Sequence, residues 1–183
     1  MRKILQDAGG KLDVLVTNAG VLEQWRPFAE TEPEEWWGTW EVNIRGSYLA
    51  ARAATQSMLQ RGQGGTIILI SSAGSLRAKP GASAYQTTKL AINRLANFIH
   101  ADHASQGIRA FAVHPGGVKT DLAYGMPQDM HHILVDSPYL SGAMCVWLGT
   151  DRADFLRGRS PSECWLSGFQ QDMERDGSAD VRP

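Results

Sequence analysis

Thr66-Ile67-Ile68-Leu69-Ile70-Ser71, set between Gly62-Gln63-Gly64-Gly65 and Ser72-Ala73-Gly74, is the stretch on which the fold turns. It is too short for an ordinary helix and three of its residues are isoleucine. It therefore reads as a strand buried on both faces, the kind found inside a parallel sheet. Working outward, Leu12 to Val16 is a second apolar run that stops at Asn18-Ala19-Gly20. Ile108 to Val113 is a third, ending at His114-Pro115-Gly116-Gly117, where proline and glycine cannot continue a strand.

Helical patterns fill the gaps. Thr31 is read as a cap, with Pro33 in the first turn and Glu34-Glu35 at the positive end of the helix dipole. A long helix then runs from about Glu34 towards Gln60. Gly46 is its expected breaking point, since glycine there costs about 1 kcal/mol relative to alanine. Ser83 to His100 is the next helix, with Leu90, Ile92, Leu95, Ala96 and Ile99 on one apolar face and Gly107 closing the segment. Ser141 to Leu148 is a third. Strand and helix alternate, so the expected class is α/β, a doubly wound parallel sheet with helices on both faces. One domain is expected over 1–168, followed by a polar, disordered tail over 169–183.

The 183 residues suffice for one domain with a sizeable core, 43% of them being hydrophobic. A formal charge of -1 leaves no broad basic field for nucleic acid. No apolar stretch approaches the roughly 20 residues of a membrane span, and Met1 to Gly10 lacks the apolar middle of a signal peptide. The expected location is the cytoplasm. Cys145 and Cys164 stand nineteen positions apart with no paired histidines, which fits two reduced thiols better than a zinc site or a disulfide. His100 with His103, and His131 with His132, lack a third ligand and read as solvated. Trp36, Trp37 and Trp40 are expected to bury against the core or a partner. The run Asp151 to Asp154 reads as a solvated turn.

In such sheets ligands sit beyond the carboxyl ends of the strands. All three ends are polar or glycine-rich: Thr17-Asn18-Ala19-Gly20, Ser71-Ser72-Ala73-Gly74 and His114-Pro115-Gly116-Gly117. Tyr85 follows Ser72 by thirteen residues, and Lys89 stands one helical turn beyond Tyr85. A free phenol, with pKa about 10, is a poor acid or base near neutrality. A neighbouring ammonium is expected to lower that value, and the Ser72 hydroxyl to hold a substrate oxygen beside the phenol. A hydrolase reading fails at Ile70, where a G-x-S-x-G elbow around Ser72 needs glycine.

Taken in order and spacing from about Lys11 to Thr120, Asn18-Ala19-Gly20, Asn43, Ser72, Tyr85, Lys89 and Pro115-Gly116 resemble the classical short-chain dehydrogenase/reductase family. The resemblance implies a Rossmann-like sheet and an oxidoreductase that interconverts a small-molecule carbonyl and an alcohol by hydride transfer with NAD or NADP. On that likeness Tyr85 is the catalytic acid/base. Lys89 lowers its pKa and holds the nicotinamide ribose, Ser72 positions the substrate oxygen, and Asn43 helps to keep a water for proton relay. Asn18, Val118 and Thr120 join Tyr85 and Lys89 in lining the cofactor site. Dimers are implied through the two long helices. Asp154 to Arg159 is similar to the tail of fungal members, which hints at secondary metabolism.

One part of the family pattern is not matched. Seventeen residues precede Asn18, fewer than the roughly 30 of one βαβ unit, and no TGxxxGxG turn is among them. Met1 to Gly10 resembles the end of the helix that leads into the family's fourth strand. The expected fold is thus a partial Rossmann-like sheet without its first βαβ units, and Leu12 to Val16 becomes an edge open to another chain. Two functional readings stay open: the reductase, with weakened dinucleotide affinity, or a truncated, non-catalytic relative acting as an interaction protein.

Overall fold

The computed structural model describes residues 9–156 together with Lys3 and Asp7. Cys164, the tail over 169–183 and the domain boundary at 168 lie outside the described residues. So do most of Met1 to Gly10 and the end of the segment similar to fungal tails.

Three strands, β1 (Val14–Thr17), β2 (Gly65–Ile70) and β3 (Ile108–Val113), form a parallel sheet in that order among the described residues. Val14 pairs with Thr66 and Thr17 with Leu69, while Gly65 pairs with Ile108 and Ile70 with Val113. Side chains alternate across β2 as strand geometry requires. Ile67 and Leu69 pack on one face with Ala51, Met58, Ile92 and Ala96, whereas Ile68 joins Phe111, Trp147 and Leu148 on the other. Covered on both sides, the strand can carry an unbroken apolar run. Each such side chain contributes about 1.5–3 kcal/mol by leaving water. The doubly wound, partial Rossmann-like arrangement follows from these two cores.

The first face is covered by α2 (Ser47–Arg61) and α3 (Ser83–His103), the second by α5 (Pro138–Leu148). Before α2 come α1 (Pro33–Trp40) and a π-helical segment, Glu41–Gly46. The helix does not break at Gly46, whose φ of -59° is ordinary helix; it widens over the preceding turn instead. Nor is Thr31 the cap. Glu32 holds that position without a side-chain bond, and the Thr31 hydroxyl donates to the Phe28 carbonyl. The α2 helix ends at Gly62, whose φ of +66° lets its N–H reach the carbonyls of both Met58 and Leu59. α5 starts three residues earlier than the apolar pattern suggests, with the Ser137 hydroxyl accepting from the Tyr139 N–H and Pro138 in the first turn.

Trp36 and Trp40 stack on each other half-buried, while Trp37 is exposed on this chain. One further expectation is corrected. Asp151 and Asp154 are not simply solvated, since both carboxylates reach the buried Arg109 guanidinium of β3, at 3.3 and 3.2 Å. That guanidinium also donates to the carbonyls of Gly149 and Thr150, which are left free at the end of α5. Among the described residues β1 pairs on one side only, with Val14 and Val16 about two-fifths exposed. No helix of the described residues is long and apolar enough to cross a membrane.

Candidate active site

The strand tips lie nearly level, and the loops that leave β1 and β2 meet the start of α3. Ser72 ends the β2 tip as the cap of a short 3-10 turn, Ala73–Ser75, and its Oγ accepts from the Gly74 N–H at 3.1 Å. The same hydroxyl stands near the Tyr85 phenol and pulls its pKa down. One turn further along α3, Lys89 lies over the Tyr85 ring, its Nζ 5.4 Å from the centroid, and donates to the Ile70 carbonyl at 2.7 Å. Ser72, Tyr85 and Lys89 are therefore brought together.

The electrostatics differ from the sequence expectation. The phenol is held above its ordinary pKa, not below it: burial is the largest cause, the Ser72 hydroxyl pulls the other way, and the Glu23 carboxylate pushes up. Lys89 stands over the ring face, bonded to a carbonyl of β2. It is itself buried, and burial lowers its pKa to about 8.

Asn43 lies in the π-helical segment and is buried. Its Oδ1 accepts from the Val21 N–H, and its Nδ2 donates to the Val21 carbonyl and to Thr88 Oγ1, all within 3.0 Å. The amide thus clamps the loop after β1 onto α3, and Thr88 in turn donates to the Tyr85 carbonyl. A Cβ on Gly20 would stand 3.4 Å from Asn43 Oδ1 and 3.6 Å from Lys89 Nζ. The backbone at Gly20 is thereby drawn against both side chains. Asn18 is exposed at the tip of β1, with its carbonyl 3.9 Å from that same point. Val118 and Thr120 belong to the loop after β3. Val118 forms a bridge with Asp136, and the Thr120 hydroxyl caps α4 (Asp121–Tyr124) by accepting from the Ala123 N–H.

Three residues of the site escape sequence reasoning. Ser71, Asn93 and Ser75 form a buried chain beneath the Ser72 turn: Ser71 Oγ donates to Asn93 Oδ1 at 2.5 Å, Asn93 Nδ2 donates to Ser75 Oγ, and Ser75 Oγ donates to the Ser72 carbonyl. The only hint in the sequence was the polar continuation of β2.

An ammonium, a phenol and a hydroxyl around one exposed loop cluster can hold a polar substrate oxygen and exchange a proton with it. Residues 1–131 match the family model described as short chain dehydrogenase. Among curated proteins, the short chain dehydrogenase mpl6 of Monascus purpureus is 48% identical over 161 residues, covering 88% of this chain and 55% of the relative. The short chain dehydrogenase andI of Emericella variicolor is 40% identical over 156 residues, covering 85% and 53%. The chain spans about half the length of these relatives. Among solved structures, a gluconate 5-dehydrogenase from Burkholderia cenocepacia in complex with NADP and tartrate superposes with a TM-score of 0.76 at 30% identity, covering 85% of this chain and 64% of that one. A 3-ketoacyl-(acyl-carrier-protein) reductase from Brucella melitensis complexed with NADH gives a TM-score of 0.78 at 26% identity, covering 86% and 67%.

Proposed function

The chain belongs to the short chain dehydrogenase family, and from that premise we propose that it serves an oxidoreductase that interconverts a small-molecule carbonyl and an alcohol with a nicotinamide dinucleotide, Tyr85 exchanging the proton. The observation that carries the reading is the convergence on Tyr85 of Ser72, whose hydroxyl pulls the phenol's pKa down from the β2 tip, and Lys89, whose ammonium stands over the same ring. A substrate oxygen bridging those two hydroxyls would be held at hydrogen-bond distance from a proton donor. The raised pKa keeps Tyr85 protonated near neutrality, which is the form that protonates a carbonyl oxygen during reduction. Ser72 fixes the orientation of the carbonyl, and its own place is fixed by the Ser71, Asn93 and Ser75 chain beneath it.

The dinucleotide would supply the hydride. The residues that would hold its nicotinamide half are Asn18 at the β1 tip, Lys89 and Tyr85 on α3, and Val118 and Thr120 beyond β3. The backbone at Gly20 runs beside Lys89 Nζ, Asn43 Oδ1 and the Asn18 carbonyl, which supports this assignment. Two of the similar solved structures are complexes, one with NADP and one with NADH, which supports a nicotinamide dinucleotide as the class of cofactor. Asn43 is proposed to hold the β1 loop against α3, and through it the water of a proton relay. Self-association through α2 and α3 belongs to the same proposal, since Leu49 and Phe98 on those helices are more than half exposed.

The test is carbonyl reduction with NADH or NADPH by the purified chain and by Tyr85→Phe. Loss of turnover by about a hundredfold or more in Tyr85→Phe, with dinucleotide binding kept, supports the reading. A chain that binds neither dinucleotide at millimolar concentration overturns it in favour of a non-catalytic relative.

A further inference from the structure

The helix that carries Tyr85 and Lys89 has no cap of its own. Ala82 occupies the capping position and offers no side-chain acceptor, although the first N–H groups of any helix need partners. The partners come from elsewhere in the chain. Glu23, on the loop after β1, places Oε1 2.7 Å from the Ala84 N–H and Oε2 2.9 Å from the Tyr85 N–H. Glu23 is only 5% exposed, so its carboxylate is committed to these donors rather than to water.

The loop around Glu23 is tied on either side. Val21 is gripped through both its N–H and its carbonyl by Asn43. Downstream, the Arg26 N–H donates to the Gly81 carbonyl at 2.9 Å, and the Trp25 indole lies against Gly81, where a Cβ would stand 1.9 Å from Nε1. Gly81, at φ +102°, adopts a backbone that other residues rarely reach. Val21 to Arg26 therefore forms a strap across the start of α3, with Glu23 at its centre.

We propose that Glu23 is a positioning residue for Tyr85: its buried carboxylate, bound to the backbone N–H groups of Ala84 and Tyr85, fixes where the phenol meets Ser72 and keeps a negative charge beside it. The proposal rests on the reading of Tyr85 as the proton-exchanging group. Among the described residues the charged groups facing the phenol are Glu23 from the strap and Lys89 from α3 itself, while the β2 tip contributes the neutral Ser72. Glu23 opposes formation of the phenolate. It thereby biases Tyr85 towards proton donation, the role needed for reduction and not for alcohol oxidation. A cap acting through shape alone would leave that balance untouched.

The experiment reads Tyr85 directly in the full chain, without turnover. In protein carrying 13C-labelled tyrosine, with the Tyr85 resonance assigned by Tyr85→Phe, Glu23→Gln keeps one acceptor and removes the charge. The titration midpoint of Tyr85 is expected to fall by about half a pH unit or more, while those of Tyr124 and Tyr139 stay in place. Glu23→Ala is expected in addition to speed amide hydrogen exchange at Ala84 and Tyr85 by about tenfold or more. An unmoved Tyr85 midpoint in Glu23→Gln overturns the proposal, as does unchanged exchange in Glu23→Ala. If Glu23→Ala does not fold, exchange is read in Glu23→Asp, whose carboxylate is one methylene too short to reach both donors, with the same two outcomes. A chain that shows these shifts and yet reduces no carbonyl keeps this inference and loses the reductase reading.

Discussion

Lys89 holds the Ile70 carbonyl oxygen at 2.7 Å, across the gap between α3 and the end of β2. This bond sets the height of the helix against the sheet, and it uses the ammonium to satisfy the last backbone acceptor of the strand. It also buries the cation, which lowers its pKa to about 8 from an ordinary 10.5. Between those values the unfolded chain carries more protons than the fold, so rising pH favours the fold. Stability measured by urea unfolding is therefore expected to gain, from this group, on the order of 1–3 kcal/mol between pH 8 and 10. Lys89→Met should remove that gain, and an unchanged slope in the variant would contradict it.

The Ser72 hydroxyl lowers the pKa of the Tyr85 phenol, against the upward push of burial. Ser72→Ala is expected to move the Tyr85 midpoint further up, readable by the same tyrosine resonance. If the chain reduces carbonyls, kcat/KM should fall about a hundredfold, since the variant loses both the orienting hydroxyl and the tuning of the acid.

His114 follows the opposite edge of the pH range. Burial lowers its pKa to about 4, with Asp136 pulling it back up. Between pH 6.5 and 4 the unfolded chain takes up a proton that the fold refuses, so stability falls as pH drops through that window. His114→Asn should show a shallower loss, by on the order of 1–2 kcal/mol between neutrality and pH 4.5. Parallel unfolding curves for the two proteins would rule this out.

Asn43→Ala leaves both backbone groups of Val21 and the Thr88 hydroxyl without their amide partner. Val21 is partly open to water, which limits the loss. An unfolding free energy reduced by about 2 kcal/mol is expected, and a fall in thermal midpoint of roughly 4–8 °C. A melt within a degree of the parent would show that the clamp is dispensable.

At Gly81→Ala the new methyl would meet the Trp25 indole, in a backbone conformation that already disfavours it. Destabilisation by about 2 kcal/mol or more is expected. Calorimetry checks it, and a neutral substitution would mean that the strap is loose at that end.

Much of this fold was legible in the sequence because two of its three strands, β2 and β3, are buried on both faces. Thr66 to Ser71 could be little else, and the observed strand differs by one residue at either end. Tyr85 and Lys89 were legible for a related reason, since helical spacing fixes their relation within one element. What escaped lies between elements. Glu23 is separated from Tyr85 by 62 positions, and nothing local distinguishes it from a surface glutamate. The one available signal was negative: Ala82 cannot cap the helix that follows it. The π-helical segment was equally silent: Asn43 within it is held by Val21 and Thr88, partners that no local pattern displays. The direction of the phenol's pKa was misjudged because spacing gives the presence of an ammonium and says nothing of burial or of the carbonyl that engages it.

The level pairing of the strands has a mechanical corollary. Because Ile70 stands opposite Val113 while Lys89 grips Ile70 from above, β2 behaves as a ruler with a tolerance under one residue. A single insertion anywhere within it would carry Ser72 forward by about 3.3 Å and turn every later side chain to the opposite face. The hydroxyl would swing away from the phenol while all the original parts remained in the chain. Divergence within such a scaffold can exchange one apolar side chain for another of similar size along this strand, but has no freedom to change its length.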